Sequence, residues 1–577
     1  MPARPVSGAA GTVGATGEDG GVRLALVTTW GGGGLIQPLA DDGSPTGPVE
    51  PVPDLVAEVA RREADGTPRW VWASTPEIYP LLLRAGVRVA RCHDLALTEA
   101  LLLGQDGRWG EPRSVAAAWA RLQGRPVPDD PVPGPRDHQA TLFEPDRGGL
   151  GEDALEAVVA VHREHARRLD ADGRLRLLVA AESAGALAAA EMGHAGLPWR
   201  ADVHDALLAE LLGPRPAAGQ LPQRLRELAA EITAVFGGRR VNPDAPAEVV
   251  RALAREGVEV PSARSWVLRE VDHPAVPLLL EYKELSRLYA AHGWSWLETW
   301  VHDGRFRPEY VAGGVVSGRW ATRGGGALQI PRVVRRAVIA DPGWVLVVAD
   351  ASQLEPRVLA ALSGDRGMAE ASTRSDLYAA LAAEAFGGDR ARAKIALLAA
   401  MYGQTSGEAI PLLAAMRKQF PKALQYVEAA ARAGEQGELV RSRLGRTCPP
   451  PSDRWRAVLT GAGAEAGGTA DDADTGRRAG QAARDRGRFT RNFVVQASAA
   501  DWALALIAIL RGRLTAGPEL VFFQHDEVLV HCPREQADAV VAAVRDAAEE
   551  AGRLVFGATP VHFPLDVAVA ECYADAK

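Results

Sequence analysis

Residues 344–365, WVLVVADASQLEPRVLAALSGD, predict a buried strand that ends in an acid and is followed by a helix. Six apolar residues lead directly to Asp350, and a helical pattern begins a few residues later. Such a run is typical of a strand buried on both faces. A carboxylate at its end favours a metal ligand, because an unpaired buried charge is costly. The alternative is that Asp350 only caps the following helix.

A second stretch, ELVFFQHDEVLVHCP (519–533), has two apolar runs on either side of the polar group QHDE. It predicts two strands joined by a polar turn. Turns favour Asp for conformational reasons, so Asp526 alone could be an ordinary turn residue. Its neighbours His525 and Glu527 are also titratable, and this favours a functional site between the two buried strands.

A helix is predicted over residues 389–403, and four of its side chains share one face. Arg390, Lys394, Leu398 and Tyr402 follow one another at four-residue intervals. The two cations could hold a triphosphate while the other two side chains pack on a base or sugar; the alternative is a solvated cationic face. Two carboxylates on separate strands can bind two Mg²⁺ ions about 3.5–4 Å apart. Together with a cationic helix they suit in-line phosphoryl transfer.

Composition narrows the class of protein. The 577 residues leave room for about three or four domains, and 47% hydrophobic with 24% charged residues is ordinary globular composition. The net charge of -8 does not indicate a nucleic-acid partner, but a basic cleft is compatible with it. The four Cys are far apart, which argues against a disulfide framework or a zinc site. We find no apolar run long enough for a membrane span.

Five segments in the same order resemble the motifs of the family A DNA polymerases, the DNA polymerase I group. The segment before motif A comprises SGRW (317–320) with ALQIPR (327–332), and the segment between motifs B and C is RFTRNFVVQASAAD (488–501). The three motifs themselves are A in DASQLEPRVLAALSGD (350–365), B in RARAKIALLAAMYG (390–403) and C in QHDEV (524–528).

The resemblance implies an α+β multidomain chain with a right-hand polymerase, in which an antiparallel palm sheet is surrounded by helical fingers and thumb. An RNase H-like, exonuclease-like α/β domain is expected before it. A flexible leader is expected at 1–21. The exonuclease-like domain is expected at 22–150, and its last part, from about residue 104, is a Pro/Gly-rich linker. A helical thumb region is expected at 151–302, followed by palm and fingers at 303–577, with the fingers at about 366–450 and a mobile loop at about 451–487.

The function implied by the resemblance is template-directed DNA polymerisation, in DNA repair or gap filling. The expected cofactor is Mg²⁺ as two ions, with Mn²⁺ as a possible substitute, and the expected partners are primer–template DNA and dNTPs. A monomer in the bacterial cytoplasm, with no membrane contact, is expected. Asp350 and Asp526 would bind the metals, with Glu527 assisting. The nucleotide would contact Arg390, Lys394, Leu398, Tyr402, Glu355 and Gln353. The DNA would contact Arg319, Gln329, Arg488, Asn492, Gln496 and His525.

The chain departs from the family pattern at four motif positions. Ala351 stands where Tyr is usual, Pro356 where an aliphatic residue is usual, and Gln524 where Val is usual. Leu398 stands where the family has an aromatic ring. The loss of that ring implies weaker stacking on the nucleotide and altered sugar discrimination, while the metal-binding acids are retained.

The N-terminal region lacks the acids that an active exonuclease needs. The expected first strand, LALVTTW (24–30), has no D-x-E pair, and Asp94 is isolated. We therefore expect the exonuclease activity to be lost. His162 and His165 share a helical face and are expected to be solvated. Two alternatives stay open: a nuclease that acts through the N-terminal domain, and a non-catalytic DNA-binding relic.

Overall fold

The structure is a computed structural model that describes the following residues: 21–131, 150–374, 376–403, 409–460, 472–514 and 516–576. Apart from Gly21, the leader expected at 1–21 lies outside these residues, as does the second part of the expected linker.

The N-terminal unit is built on a five-stranded sheet of mixed direction, in the order β3-β2-β1-β4-β5. The first strand is antiparallel to the second and parallel to the fourth, so the unit has the expected α/β character. The strands are β1 Arg23–Thr28, β2 Gly34–Leu39, β3 Glu50–Val52, β4 Arg69–Trp72 and β5 Arg91–Asp94. The helices are α1 Leu55–Gly66, α2 Thr75–Arg84, α3 Leu95–Gln105, α4 Val115–Leu122 and α5 Ala154–Leu169.

Two predictions about this unit are wrong. Part of the segment expected to be a linker forms the helix α4. The Ser114 hydroxyl caps its first turn by accepting a hydrogen bond from the Ala117 N–H at 3.3 Å. Helix α5, expected in the thumb, packs on the first sheet, where Leu155 and Val158 share a core with Val71. Burial of their apolar faces therefore extends the N-terminal unit beyond residue 150.

Three histidines are buried together in this unit. His93, His162 and His165 lie against one another, and the rings of His93 and His162 are 4.8 Å apart, so the expectation that His162 and His165 are solvated is wrong. Burial, with repulsion from His165 second, lowers the pKa of His162 to about 3. In the unfolded chain, the pKa of a His is near its ordinary value. At a pH above that value, the buried neutral His162 contributes its full share to stability. This contribution is lost as the pH falls from the unfolded pKa toward the lower folded pKa.

We predict that acidification destabilises the protein by about 3 kcal/mol at pH 4 through His162 alone. Urea denaturation at pH 7 and pH 4 measures this loss. His162→Phe removes the titrating group and keeps a ring, so the variant should lose less stability than the wild type. His302→Phe, at an exposed position, serves as the control and should behave as the wild type. Equal acid losses in His162→Phe and wild type would refute the prediction.

A long helix, α6 (Gly173–Ala195), joins the N-terminal unit to the rest of the chain. Leu187 lies in the core of the first sheet, whereas Leu178 and Val179 belong to the large C-terminal core. The expected helical thumb region follows it. Its helices are α7 Ala201–Leu212, α8 Gln223–Val235, α9 Pro246–Arg255, α10 Ser265–Leu268, α11 Ala275–His292 and α12 Trp294–Trp300. Short strands accompany them: β6 Leu197–Pro198, β7 Val301–His302, β8 Arg305–Phe306, β9 Glu309–Val311 and β10 Ala321–Arg323.

The C-terminal sheet has four antiparallel strands in the order β12-β13-β11-β14. The predicted strand that ends at Asp350 and the predicted hairpin around QHDE are both confirmed. Asp350 ends a central strand, which explains why the run before it is apolar throughout. The strands are β11 Trp344–Asp350, β12 Glu519–Gln524, β13 Glu527–Pro533 and β14 Asp566–Ala570.

Helices surround this sheet, and they correct the prediction of a mobile loop at about 451–487. Residues 453–460 and 472–487 are helical, and only 461–471 lie outside the described residues. Ala and Arg favour helix, which outweighs the scattered Gly once α20 packs on α18. The helices are α13 Leu354–Ser363, α14 Arg366–Ser372, α15 Leu377–Ala385, α16 Arg390–Tyr402, α17 Ala409–Gln419, α18 Pro421–Glu435, α19 Asp453–Thr460, α20 Asp472–Arg513 and α21 Ala537–Phe556.

The described chain has one helix long and apolar enough to cross a membrane by length and composition, the segment Gly476–Arg513 within α20. Its most apolar window is 83% buried against the rest of the chain, as expected of a central core helix.

Candidate active site

The two acids predicted to bind metal lie at the same corner of the C-terminal sheet. Asp350 ends β11 and is the cross-strand partner of Glu527, the first residue of β13. The turn before β13 contains His525 with a φ of 59° and then Asp526. The Ala351 N–H donates to the Asp526 carbonyl oxygen at 2.8 Å, so the chain after one acid is bonded to the backbone of the other.

The electrostatics of this corner favour a cation. Burial raises the pKa of Asp526 to about 6; the negative charge of Asp350, and then that of Glu527, contribute to the rise, while Arg319 opposes it. Two neighbouring carboxylates repel each other when both are ionised. A divalent cation would relieve that repulsion.

The donor set fits Mg²⁺ rather than a closed metal cage. Among the described residues, no group of three or more His, Cys, Asp or Glu side chains is arranged to hold a metal ion. Asp350 and Asp526 offer oxygen ligands only, and Mg²⁺ binds readily through one or two carboxylates, with waters and substrate phosphates as its other ligands. Two carboxylates are therefore a sufficient protein contribution to such a site.

Glu527 faces a different environment. Its side chain is buried, and its charge is the second cause, after burial, of the raised pKa of the Tyr573 phenol. Tyr573 is fully buried, and the Arg335 guanidinium lies 4.4 Å from its ring centroid. The sequence analysis did not identify Tyr573, because it lies outside every motif.

The helix α16 presents its predicted face as the spacing requires. Arg390, Lys394 and Tyr402 are exposed, and Leu398 is half-buried between them. The Arg390 Nε donates to Asp376 Oδ2 at 2.7 Å, so a carboxylate already orients this guanidinium. Asp376 also caps α15 and was not identified from the sequence.

Glu355 connects the start of α13 with the end of α16. One of its oxygens accepts from the Tyr402 hydroxyl at 2.8 Å, and the other forms an ion pair with Arg319. Tyr402 is also hydrogen-bonded to the side chain of Gln496 on α20. Four separate segments of the chain are therefore joined through Glu355 and Tyr402.

Gln353 lies in the turn after Asp350, in the left-handed region with a φ of 59°. Its Oε1 accepts from the Leu377 N–H at 2.8 Å, and its Nε2 donates to Asp376 Oδ1 at 3.1 Å. Both ends of the amide are thus engaged with the start of α15. The observed role of Gln353 is to link this turn with α15.

The residues expected to contact DNA lie on several surrounding elements. Arg488, Asn492 and Gln496 lie along α20 at four-residue intervals, and a β-carbon on Gly403, at the end of α16, would lie 3.0 Å from Arg488 Cγ. Gln329 is exposed at the end of a short turn, and His525 is half-buried beside Asp526. The Gln524 Nε2 donates to the Leu328 carbonyl at 2.7 Å, which connects the turn between β12 and β13 with that segment.

Comparison with known proteins agrees with this arrangement. A family model described as DNA polymerase family A matches residues 215–575, well over half of the chain. DNA polymerase I of Thermus thermophilus, a thermostable enzyme, is 27% identical over 331 residues, or 52% of this chain and 36% of that protein. DNA polymerase I of Chloroflexus aurantiacus is 27% identical over 318 residues, or 49% of this chain and 31% of that protein. The matches thus span about a third of the length of these curated relatives.

A solved structure also resembles the chain, with a TM-score of 0.66 at 19% identity and coverage of 96% of both chains. It is the POL domain of Pol1 from M. smegmatis, in complex with DNA primer-template and dNTP. At this identity the likeness concerns the fold. The family match over residues 215–575, which include both acids and the helix α16, shows that the chain belongs to DNA polymerase family A.

Proposed function

We propose that this protein is a template-directed DNA polymerase that adds dNTPs to the 3′-hydroxyl of a primer. The observation that supports this most directly is that Asp350 and Asp526 meet at one corner of the sheet in a chain of family A. In the proposed reaction, the primer hydroxyl attacks the α-phosphate of the dNTP and pyrophosphate leaves.

Asp350 and Asp526 would hold two divalent ions, Mg²⁺ or its substitute Mn²⁺. When bound, these ions lower the pKa of the attacking hydroxyl and stabilise the leaving oxygens. Arg390 and Lys394 neutralise the triphosphate from the exposed face of α16. Tyr402 is positioned at the end of that face by Glu355. Orientation and charge neutralisation contribute most of the catalysis in this proposal.

Primer–template DNA would lie against the side chains that surround this corner. Arg319 and Arg488 provide cationic donors, His525 provides an imidazole, and Asn492, Gln496 and Gln329 provide amide donors. Amide donors suit the minor groove, because its acceptors are common to every correct base pair. Arg488 is exposed and suits a phosphate contact instead.

We infer that the N-terminal unit is an exonuclease-like domain without exonuclease activity. None of the residues of β1, Arg23–Thr28, is acidic. Asp94 is 1% exposed and accepts from the Thr75 N–H at 2.7 Å and the Leu97 N–H at 2.9 Å. These bonds make it a structural cap. A role in repair or gap filling, a monomeric state and a cytoplasmic location are part of the same proposal.

Primer extension with Mg²⁺, run in parallel with digestion of single-stranded DNA, tests the function. We expect extension that depends on dNTPs and template, and no digestion. Digestion without extension would instead favour a nuclease that acts through the N-terminal domain. DNA binding that falls steeply with salt, without incorporation, would favour a non-catalytic relic.

Glu355→Ala is predicted to increase ribonucleotide incorporation by about tenfold or more relative to dNTP incorporation. The side chain lies at the start of α13, bonded to Tyr402 and Arg319, and in the proposal its volume excludes the sugar 2′-hydroxyl. Competitive incorporation of one rNTP and its dNTP measures the ratio. Glu355→Gln keeps the volume and should retain most of the discrimination. Unchanged selectivity in the Ala variant would remove this role from Glu355.

A further inference from the structure

Strand β14, outside every motif, contributes a third carboxylate beside the two acids. Asp566, its first residue, is the cross-strand partner of Asp350. Glu527 is the partner on the other side, so three acids stand in one row across the sheet. Like charges directly opposite each other destabilise a sheet. An acid at position 566 therefore opposes local stability, and its contacts indicate what it does.

Asp566 contacts the turn that follows Asp350. The Ser352 hydroxyl donates to Asp566 Oδ2. The Ser352 N–H donates to the Asp350 carbonyl at 3.0 Å, and the Ser352 carbonyl accepts from the Arg357 Nε at 3.2 Å. Ser352 therefore makes three hydrogen bonds, and only the bond from its hydroxyl involves β14.

This turn is also where the two metal-binding acids are connected. The Ala351 N–H donates to the Asp526 carbonyl at 2.8 Å, and Gln353 follows in the left-handed region. Arg357, which is 1% exposed, also donates to the carbonyls of Ser372 and His562. A shift of Ser352 would thus change the position of Asp350 relative to Asp526, and errors of about 1 Å cost catalysis about a hundredfold.

We propose that Asp566 is a positioning residue for polymerisation, which fixes the Asp350 turn by accepting the Ser352 hydroxyl. This inference rests on the proposed function. Asp566 acts as a hydrogen-bond acceptor on Ser352 and is not itself a metal ligand. Asp566 is exposed and Ser352 half-buried, so substitutions at these positions leave the core intact.

A double-mutant cycle tests the proposal. Asp566→Ala and Ser352→Ala should each lower kcat by about tenfold, and the double variant should lose no more than either one. Asp566→Asn keeps an acceptor and should restore kcat to near the wild-type value. The KM for dNTP and the affinity for DNA should stay within about twofold of the wild-type values, because neither Asp566 nor Ser352 is among the residues proposed to bind dNTP or DNA. Glu571→Ala, an exposed acid just after β14, is the control and should not change kcat.

Hydrogen–deuterium exchange of residues 350–354 gives a readout without turnover. Exchange there should be faster in Asp566→Ala and in Ser352→Ala, and as in wild type in Asp566→Asn. Additive losses of kcat, an Asn variant as impaired as the Ala variant, or unchanged kcat and exchange would each overturn the proposal. Wild-type protein that fails to extend primers refutes the proposed function instead, while exchange still tests the Ser352 contact.

Discussion

Replacing Asp350 or Asp526 with Asn is expected to reduce primer extension by about a thousandfold or more while DNA affinity changes by less than about twofold. Asn has the same shape but lacks the charge that a divalent ion requires. The loss should therefore appear in kcat, at saturating DNA and dNTP. Single-turnover primer extension and fluorescence anisotropy of a labelled primer–template measure the two quantities.

The stability of the Asp350→Asn variant distinguishes a loss of chemistry from unfolding. The negative charge of Asp350 contributes to the raised pKa of Asp526, so Asp350→Asn should lower that pKa and relieve repulsion in the folded state. The melting temperature of the variant should be equal to or above that of the wild type. Glu519→Gln, at the far end of β12, is a matched control that should extend primers normally. Normal extension by either Asn variant would refute the metal assignment.

The second large effect is expected at Arg511, where Arg511→Gln should lower the free energy of unfolding by about 3 kcal/mol. The Arg511 side chain is 6% exposed and bonds Glu191 Oε1 at 2.6 Å. It also donates to the carbonyls of Val89 and Ala90 and to the Tyr79 hydroxyl. One guanidinium thus connects the end of α20, the helix α6 and the N-terminal unit.

The loss of stability arises because Arg511→Gln leaves the negative charge of Glu191 buried with less positive charge beside it. Arg511 and Arg88 hold the pKa of Glu191 below its ordinary value in spite of burial. In the variant, the Arg88 Nε still lies 3.0 Å from Glu191 Oε1. We therefore expect a loss of stability at the lower end of the range for breaking a buried ion pair. The double variant Arg511→Gln/Glu191→Gln should recover part of the loss, because no buried charge is then left uncompensated.

Urea denaturation, followed by fluorescence and circular dichroism together, measures the effect and reveals whether the N-terminal unit unfolds separately. Arg513→Gln is the matched control, two residues away on α20, where an exposed pair with Glu550 should be worth less than about 1 kcal/mol. Equal losses in the two variants would show that the buried network does not stabilise the contact between the domains.

The confirmed elements of the fold have local signals. β11 and the hairpin of β12 and β13 are buried strands, so their apolar runs are continuous and their polar ends are visible. The predictions that are wrong depend on packing. Helix α4 lies in a Pro/Gly-rich segment, and the start of α20 lies in a low-complexity one, yet both form helices. Their Ala and Arg residues favour helix, but most of the stability of such helices comes from tertiary packing, which the local pattern does not show.

The residues with the relevant chemistry are recognisable from the amino-acid pattern alone: Asp350 at the end of an apolar strand, Asp526 in a turn, and a cationic face on one helix. Each is a property of a short window, set by side-chain type and spacing. The partners of these residues depend on the folded arrangement of the whole chain. Asp566 beside Asp350, Tyr573 near Glu527, Asp376 on Arg390 and Arg511 on Glu191 come from strand order and helix packing. Contacts between distant segments follow from how the whole chain buries its apolar surface, which no local pattern specifies.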